Sequence, residues 1–485
     1  MLPLPIALYN SQQIKQLEQI AIDDYAVPSF ELMSRAGYQV FKCLQENYRE
    51  IQTLWVFCGT GNNAGDGYIV ASLAIRAGLS VTVFTLSDPE HLSGDALTAY
   101  QHYLATNGLV LSFAADLVIP KDVIIIDALF GTGLNRAVGG KYAQAIQIIN
   151  TSLAQVIAVD LPSGLNADTG VVMGCAIKAN LTVTFIGVKQ GLLTGQAADY
   201  CGSIIYSSLG LPDALFLQCQ TNVFRVVSEV FSPRQRIAHK GNFGHVLIVG
   251  GEQGYSGAVR LAGEAALRVG AGLVSIATRP EHAGYLNSGR PELMCHGITD
   301  DNQLNILLNK VNVVVIGPGL GQSDWARQLL LTVLYSNCYL VIDADALNLL
   351  AQSSILQNCL TTKPVRSIIT PHIGEAVRLL GCSKSDIIQD RFATVVALQQ
   401  QYNSVALLKG SGTLIADEKS IGVITSGNPG MASGGMGDVL SGVIGGLLAQ
   451  GFSLAKAAQQ GACIHGLAAD LAAQADGERG LLAAD

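Results

Sequence analysis

Charge is what this sequence has least of. Only 14% of its residues are Asp, Glu, Lys or Arg, against ~25% in ordinary soluble domains. With 49% hydrophobic residues beside it, that deficit argues against disorder. It fits large cores and contacts between copies, so a homo-oligomer is expected. The balance is also negative, with a net charge of −8, which argues against nucleic acid as a partner. A single phosphorylated ligand stays open, because backbone N–H groups can hold one without a basic surface.

The other absences are of motifs. Ten cysteines are present but none forms a C-x-x-C pair, so neither a zinc site nor a disulfide framework is expected. Reduced, mostly buried thiols point to a cytoplasmic protein. The N-terminus lacks a basic segment followed by an apolar run, so no signal peptide is read. No apolar window of ~18 residues is free of breakers, so no membrane span is read either. There is no repeat at a solenoid period and no Walker A spacing.

Glycine is what the chain has instead, 53 residues gathered in short runs after apolar segments, as in α/β nucleotide-binding proteins. The length suggests two to three domains at ~150 residues each. The pattern reads as two α/β domains, residues 1–215 and 225–485, with the boundary near 215–230 where periodicity is lost after Leu209-Gly-Leu-Pro-Asp213.

In the first half, helices are expected over 11–50, with Ser11 as the first cap. The strand Thr53–Cys58 then runs into Gly59-Thr-Gly-Asn62-Asn63-Ala64-Gly65-Asp66-Gly67, followed by a helix over 68–77 and a strand over 80–86. Ligands of such a βαβ unit bind at the carboxyl end of the strands. The strand over 122–126 closes on Asp127, and the strand over 155–159 closes on Asp160-Leu-Pro-Ser163-Gly164. One strand-end aspartate is an ordinary loop cap. Repetition at three strand ends suggests that Asn63, Asp127, Asp160 and Ser163 share one edge, where they would offer hard oxygen ligands to a cation.

The second half repeats the device. Strands over 246–249, 311–316, 339–342, 367–370 and 405–408 deliver Gly250-Gly251, Gly317-Pro-Gly319-Leu-Gly321, Asp343-Ala-Asp345, Pro371-His372-Ile-Gly-Glu375 and Lys409-Gly410-Ser411-Gly412-Thr413. The last could be a phosphate loop or a hairpin turn, and His372 could be structural or catalytic. The element around which this half is organised is Gly427–Gly451, where Ser433-Gly434-Gly435-Met436-Gly437 leads into an apolar helix beginning at Asp438. Converging N–H groups and the helix's positive end make an anion hole. Asp438 there is either a helix-start acid or a general base beside a transferring phosphoryl group.

Taken together, these motifs resemble those of the bifunctional NAD(P)H-hydrate repair enzymes over nearly the whole chain. The resemblance implies a Rossmann-like NAD(P)H-hydrate epimerase domain followed by a ribokinase-like, ADP-dependent NAD(P)H-hydrate dehydratase domain. By position it implies that Asn62, Asn63, Ala64, Gly65, Asp66, the loop Gly131-Thr132-Gly133-Leu134-Asn135-Arg136-Ala137 and Asp160 hold the hydrated nicotinamide, with Asp160 as acid/base. Asn63, Asp127 and Ser163 would bind K+. In the second domain Ala258, Gly319, His372 and Asp438 would contact the hydrate, with Asp438 as base. Lys409, Gly410, Ser411, Gly412, Thr413 and Gly437 would hold ADP, with Mg2+ as the metal. Ala64 stands where the family usually has Gly. Met436 stands where it usually has Thr, in the expected anion hole. The chain ends soon after Gly477-Glu-Arg-Gly-Leu-Leu482, where a last short segment of the pattern is expected to be missing. A ribokinase-like kinase of a vitamin or sugar alcohol, and a nucleotide-sensing module without turnover, are the other readings of the same anion hole.

Overall fold

Runs of valine and isoleucine too apolar for either face to meet water assemble here as central strands of parallel sheets, covered on both sides. The structure is a computed structural model and describes residues 4–485. The chain divides into two compact units, the first ending at Val223 and the second beginning at Phe224. Each is a three-layer α/β arrangement.

In the first unit the strands lie in the order Leu109–Ser112, Ser80–Thr85, Thr53–Cys58, Ile124–Ala128, Gln155–Val159, Leu181–Phe185 and Ser203–Ser207, every neighbouring pair parallel. The chain enters at Thr53–Cys58, moves outward on one side, then returns to Ile124–Ala128 on the other. Loops leaving those two strands therefore diverge, and the crevice between them is where such a sheet takes its ligand. Leu54, Val56 and Cys58 pack with Val40, Leu44 and Tyr68 on one face. Phe57 faces the other way, onto Phe84, Ile146 and Ile149. A short strand, Ala7–Tyr9, pairs in parallel with Val188–Lys189.

Two helix starts differ from expectation. The first helix, Ser11–Asp23, is capped by Asn10 and not by Ser11. Asn10 accepts the Gln13 N–H at 2.8 Å while the Gln13 side chain accepts the Asn10 N–H at 2.9 Å, a closed capping box. The helix after the first glycine loop is Asn62–Arg76, six residues longer at its start than expected. Its glycines serve close packing: a methyl group on Gly65 would meet Met33 Sδ at 2.5 Å, and one on Gly67 would meet Ala128 Cβ at 2.6 Å.

In the second unit the order is Leu293–Gly297, Leu273–Thr278, His245–Val249, Val313–Ile316, Tyr339–Ile342, Ser367–Ile369, Val405–Leu408, Leu414–Ala416 and Ile421–Val423. The first seven are parallel and the last two join antiparallel. The direction reverses between His245–Val249 and Val313–Ile316, again a switch point. Helix Ser256–Val269 follows the loop after His245–Val249. The glycine-rich segment beginning at Met436 is the helix Met436–Ala449, and it lies directly on Ser256–Val269, since a methyl group on Gly442 would fall 2.1 Å from the Ala262 carbonyl oxygen. No helix among the described residues is long and apolar enough to cross a membrane.

Candidate active sites

The switch point of the first sheet opens into a cavity of 680 Å³, within the ~300–1,000 Å³ of small-molecule sites. Asn62, Asn63 and Asp66 wall it from the first turn of helix Asn62–Arg76, Gly131 through Arg136 from the loop after Ile124–Ala128, and Asp160 from the next strand end. Three residues expected there lie outside the wall. Ala64 is fully buried in the core, Gly65 packs on Met33, and Ala137 follows the last lining residue. The helical period explains the first two: with Asn62, Asn63 and Asp66 facing the cavity, residues 64 and 65 turn to the protein.

Asp160 adopts φ +68°, left-handed for a residue with a side chain, a strain of ~1–3 kcal/mol that persists where surroundings impose it. Its N–H bonds the Val183 carbonyl at 2.8 Å. Its Oδ1 accepts from Lys189 Nζ, from Thr184 Oγ1 at 3.2 Å and from the Phe185 N–H at 3.3 Å. Lys189 is 1% exposed and also donates to the Phe185 carbonyl at 3.0 Å. Glu18 and Asp66 share this charge field. Burial foremost, with Asp160 and Glu18 adding and Lys189 opposing, pushes Asp66 well above the carboxylate range. Burial and Asp160 raise Glu18 against the pull of Lys189. Asp66 thus faces the cavity beside the ion pair with its charged form disfavoured by burial.

Asp127, Ser163 and Asn63 meet beneath the same loop. Asp127 is fully buried; its carboxylate accepts the Ser163 N–H at 2.8 Å, the Ser163 hydroxyl at 2.6 Å and the Leu129 N–H at 3.3 Å. The Phe130 carbonyl accepts from Asn63 Nδ2 at 3.0 Å. Burial pushes Asp127 up to about 6, with the Ser163 bonds pulling against it and no cationic side chain among the groups that act on it.

In the second unit Lys409, Asp343, Glu375 and Asp438 converge at the head of helix Met436–Ala449. Lys409 Nζ donates to Asp343 Oδ1 at 2.7 Å, and a methyl group on Gly437 would lie 3.3 Å from that ammonium. The N–H groups of the helix's first turn have no carbonyl of their own to bond. Burial opposes the Lys409 charge, but Asp343, Glu375 and Asp438 outweigh it and hold the pKa above its ordinary value. Burial first, then Asp343 and Asp345, raises Asp438 to about 6 against Lys409. Burial likewise raises Glu375 to about 7.

The segment Lys409–Thr413 is the turn of the hairpin joining Val405–Leu408 to Leu414–Ala416, closed by Thr413 Oγ1 donating to the Gly410 carbonyl at 2.9 Å. Both sequence readings of it are compatible with this placement, since Lys409 still faces the helix head. Buried Arg391 lies under the turn, donating to the Gly412 carbonyl at 3.3 Å. His372 is the N-cap of helix Ile373–Leu380, its Nδ1 accepting the Gly374 N–H at 2.8 Å. Burial and the nearby Lys409 lower its pKa, so the ring is neutral. Ala258 and Gly319 meet at the second switch point: a methyl group on Gly319, at φ +54°, would fall 3.2 Å from Ala258 Cβ and 2.6 Å from the Tyr255 carbonyl. Met436 does not face the anion hole. Its side chain is buried with Ala469 and Leu481, so replacing threonine there leaves the hole's N–H groups in place.

The sequence alone assigns no role to Lys189, Glu18, Asp343, Glu375 or Arg391. Asp343 carries the signal that flagged Asp127 and Asp160, a carboxylate directly after an apolar strand. Lys189 carries none, because what buries its side chain is a strand pairing with residues ~180 positions earlier.

The comparisons agree with this division. A family model described as NAD(P)H-hydrate dehydratase matches residues 246–485, and one described as YjeF-related protein N-terminus matches residues 29–191. Over 99% of its length the chain is 49% identical to the bifunctional NAD(P)H-hydrate repair enzyme of Coxiella burnetii, covering 97% of that protein. Over 99% of its length it is 44% identical to the enzyme of the same description from Escherichia coli, covering 93%. Among solved structures, the ADP/ATP-dependent NAD(P)H-hydrate dehydratase of Bacillus subtilis co-crystallized with ATP/Mg2+ is 27% identical, covering 53% of this chain and 90% of that one, with a TM-score of 0.45.

Proposed function

The chain belongs to the bifunctional NAD(P)H-hydrate repair enzymes, and from that premise we propose that its two sites perform two successive steps on damaged nicotinamide nucleotides. The first interconverts the R and S forms of NAD(P)H hydrate. The second returns the S form to NAD(P)H with ADP as phosphoryl donor, releasing AMP and phosphate. The observation that carries the reading is the convergence of Asp438 and Lys409 at the head of a glycine-led helix, in a chain that also builds the Asp160–Lys189 pair in a cavity of its own.

Hydroxide is a poor leaving group, so the hydrate's C6 hydroxyl has to be activated. Asp438 takes its proton as the oxygen attacks the terminal phosphorus of ADP. A base is most useful with a pKa near working pH, which burial beside Asp343 supplies. Lys409 and the first-turn N–H groups, Gly437 among them, stabilise charge on the transferring phosphoryl group. The ring nitrogen lone pair then expels phosphate, and loss of the C5 proton restores the double bond. In the first domain Asp160 is the acid/base and Lys189 orients it through their contact, while Asn62, Asn63, Asp66 and the 131–136 loop grip the nicotinamide.

Asn63, Asp127 and Ser163 suit K+. They are hard oxygen donors, and the buried carboxylate acts with no cationic side chain to neutralise it; a bound K+ would supply that charge. In the second domain no group of three or more His, Cys, Asp or Glu among the described residues could by itself hold a metal. Mg2+ carried in on nucleotide phosphates needs only one or two carboxylates, for which Asp343 and Glu375 are at hand. The low charged fraction and the exposed Tyr335 and Tyr339 support a homo-oligomer, and free, mostly buried thiols support a cytoplasmic location. Incubating mixed hydrate with ADP tests the reading. Free phosphate released in step with NAD(P)H supports it, and a stable phosphorylated product contradicts it.

A further inference from the structure

The second half of the long helix Leu454–Asp476 and the tail after it make polar contacts to the loop 426–437, ahead of the helix head described above. Asp470 Oδ2 accepts the Gly427 N–H at 2.9 Å and its Oδ1 accepts from Asn428 Nδ2 at 3.0 Å. Asn428 Oδ1 in turn accepts the Gly430 N–H at 3.0 Å, so one carboxylate fixes three successive points of the loop. One turn earlier the helix touches the loop backbone directly. A methyl group on Gly466 would lie 2.5 Å from Ser426 Oγ, which donates to the Cys463 carbonyl at 3.1 Å.

The tail closes over the other side. Ser433 Oγ donates to the Leu481 carbonyl at 3.2 Å, and Leu481 is buried with Met436 and Ala469. Methyl groups on Gly430 and Gly435 would fall 2.6 Å from the Glu478 carbonyl and 3.0 Å from Ala483 Cβ. Gly435, at φ +91°, is the residue that turns the chain into helix Met436–Ala449. The loop is thus held from behind by an aspartate and from above by the tail 477–485, while Gly437 at its end lies against Lys409.

We infer that Asp470 is a positioning residue for the phosphoryl-transfer site and that, with the tail 477–485, it clamps the glycine loop in its anion-binding form before nucleotide arrives. The inference rests on the second domain's reading as a nucleotide-dependent dehydratase. A loop left free to sample other forms would have to be ordered by the nucleotide itself, weakening binding and misplacing donors. Asp470 touches the loop backbone and one side chain, so its loss acts through geometry.

The test uses the full chain with Asp470→Ala, Asp470→Asn and Ser433→Ala, ADP as probe, and amide hydrogen exchange over 427–437. Asp470→Ala is expected to raise exchange across the loop, weaken ADP binding ~10-fold and lower kcat for dehydration ~10- to 100-fold, while KM for the hydrate and the epimerisation rate stay within twofold. Asp470→Asn, which keeps one acceptor, should fall between Ala and wild type, and Ser433→Ala should show a smaller loss of the same kind. A variant that melts earlier yet keeps wild-type loop exchange and ADP affinity overturns the clamp. If the wild-type chain turns over no hydrate, the reading of the site fails, and loop exchange in Asp470→Ala still decides the clamp.

Discussion

Lys409 reaches across the end of the second sheet to Asp343, Nζ to Oδ1 at 2.7 Å, and so lies against Gly437 at the start of the anion-binding helix. The two residues are 66 positions apart and come from the ends of different strands. Their pairing stores a cation where phosphate is to bind and leaves Asp343 its counter-charge until then. Lys409→Met should leave Asp343 buried and alone, at a cost of ~3–5 kcal/mol in stability. It should also weaken ADP binding by ~100-fold while leaving epimerisation unchanged. Calorimetric titration with ADP, beside a melt, checks both.

Asp160 and Lys189 make the corresponding pair in the first domain, the lysine almost wholly enclosed. Lys189→Met is expected to slow R/S interconversion by ~100-fold and lower the melting point, with ADP-dependent dehydration of S hydrate unaffected. Interconversion at the wild-type rate in a folded variant would remove Lys189 from the account.

Acidity acts in opposite directions on activity and stability. Asp438, at about 6, must be ionised to serve as base, so dehydration should fall below pH ~6 with the slope of a single proton. Glu375 is raised from its ordinary value to about 7 by burial, so the folded state binds its proton more tightly than the unfolded state. Its stabilising contribution is present below its unfolded pKa and lost as pH rises through about 7. Melting curves from pH 5 to 8 should show this decline, and Glu375→Gln should flatten it.

Asp127 has serine and backbone for partners and burial to raise it to about 6. Adding KCl at constant ionic strength should raise the first domain's melting point and its epimerisation rate relative to LiCl. Asp127→Asn should abolish the difference, as read by calorimetry and by the rate of approach to R/S equilibrium.

What could be read from sequence was whatever is written locally. Tyr339–Ile342, Val405–Leu408 and Gln155–Val159 were legible because a short apolar run closing on Asp or Lys signals both the strand and the edge it serves. Helix starts were less so. Asn62–Arg76 carries glycines at 65 and 67 that look like loop, and their reason is contact with Met33 and Ala128, elements brought close by the fold. Met436 was expected in the anion hole because its neighbours are there, but its side chain is turned away by Ala469 and Leu481. The ion pairs of Asp160 with Lys189 and of Asp343 with Lys409 are fixed by which strands lie side by side, and strand order is not a local property.

The central claim is that two separable sites in one chain act on the two epimers in turn, and the most direct measurement is epimer-resolved chromatography of mixed hydrate incubated with ADP and single variants. Asp438→Asn should leave both epimers in equilibrium with no NAD(P)H formed, and Asp160→Asn should consume the S form and leave the R form to lag. Dehydration retained by Asp438→Asn, or unchanged R/S exchange in Asp160→Asn, would contradict the account.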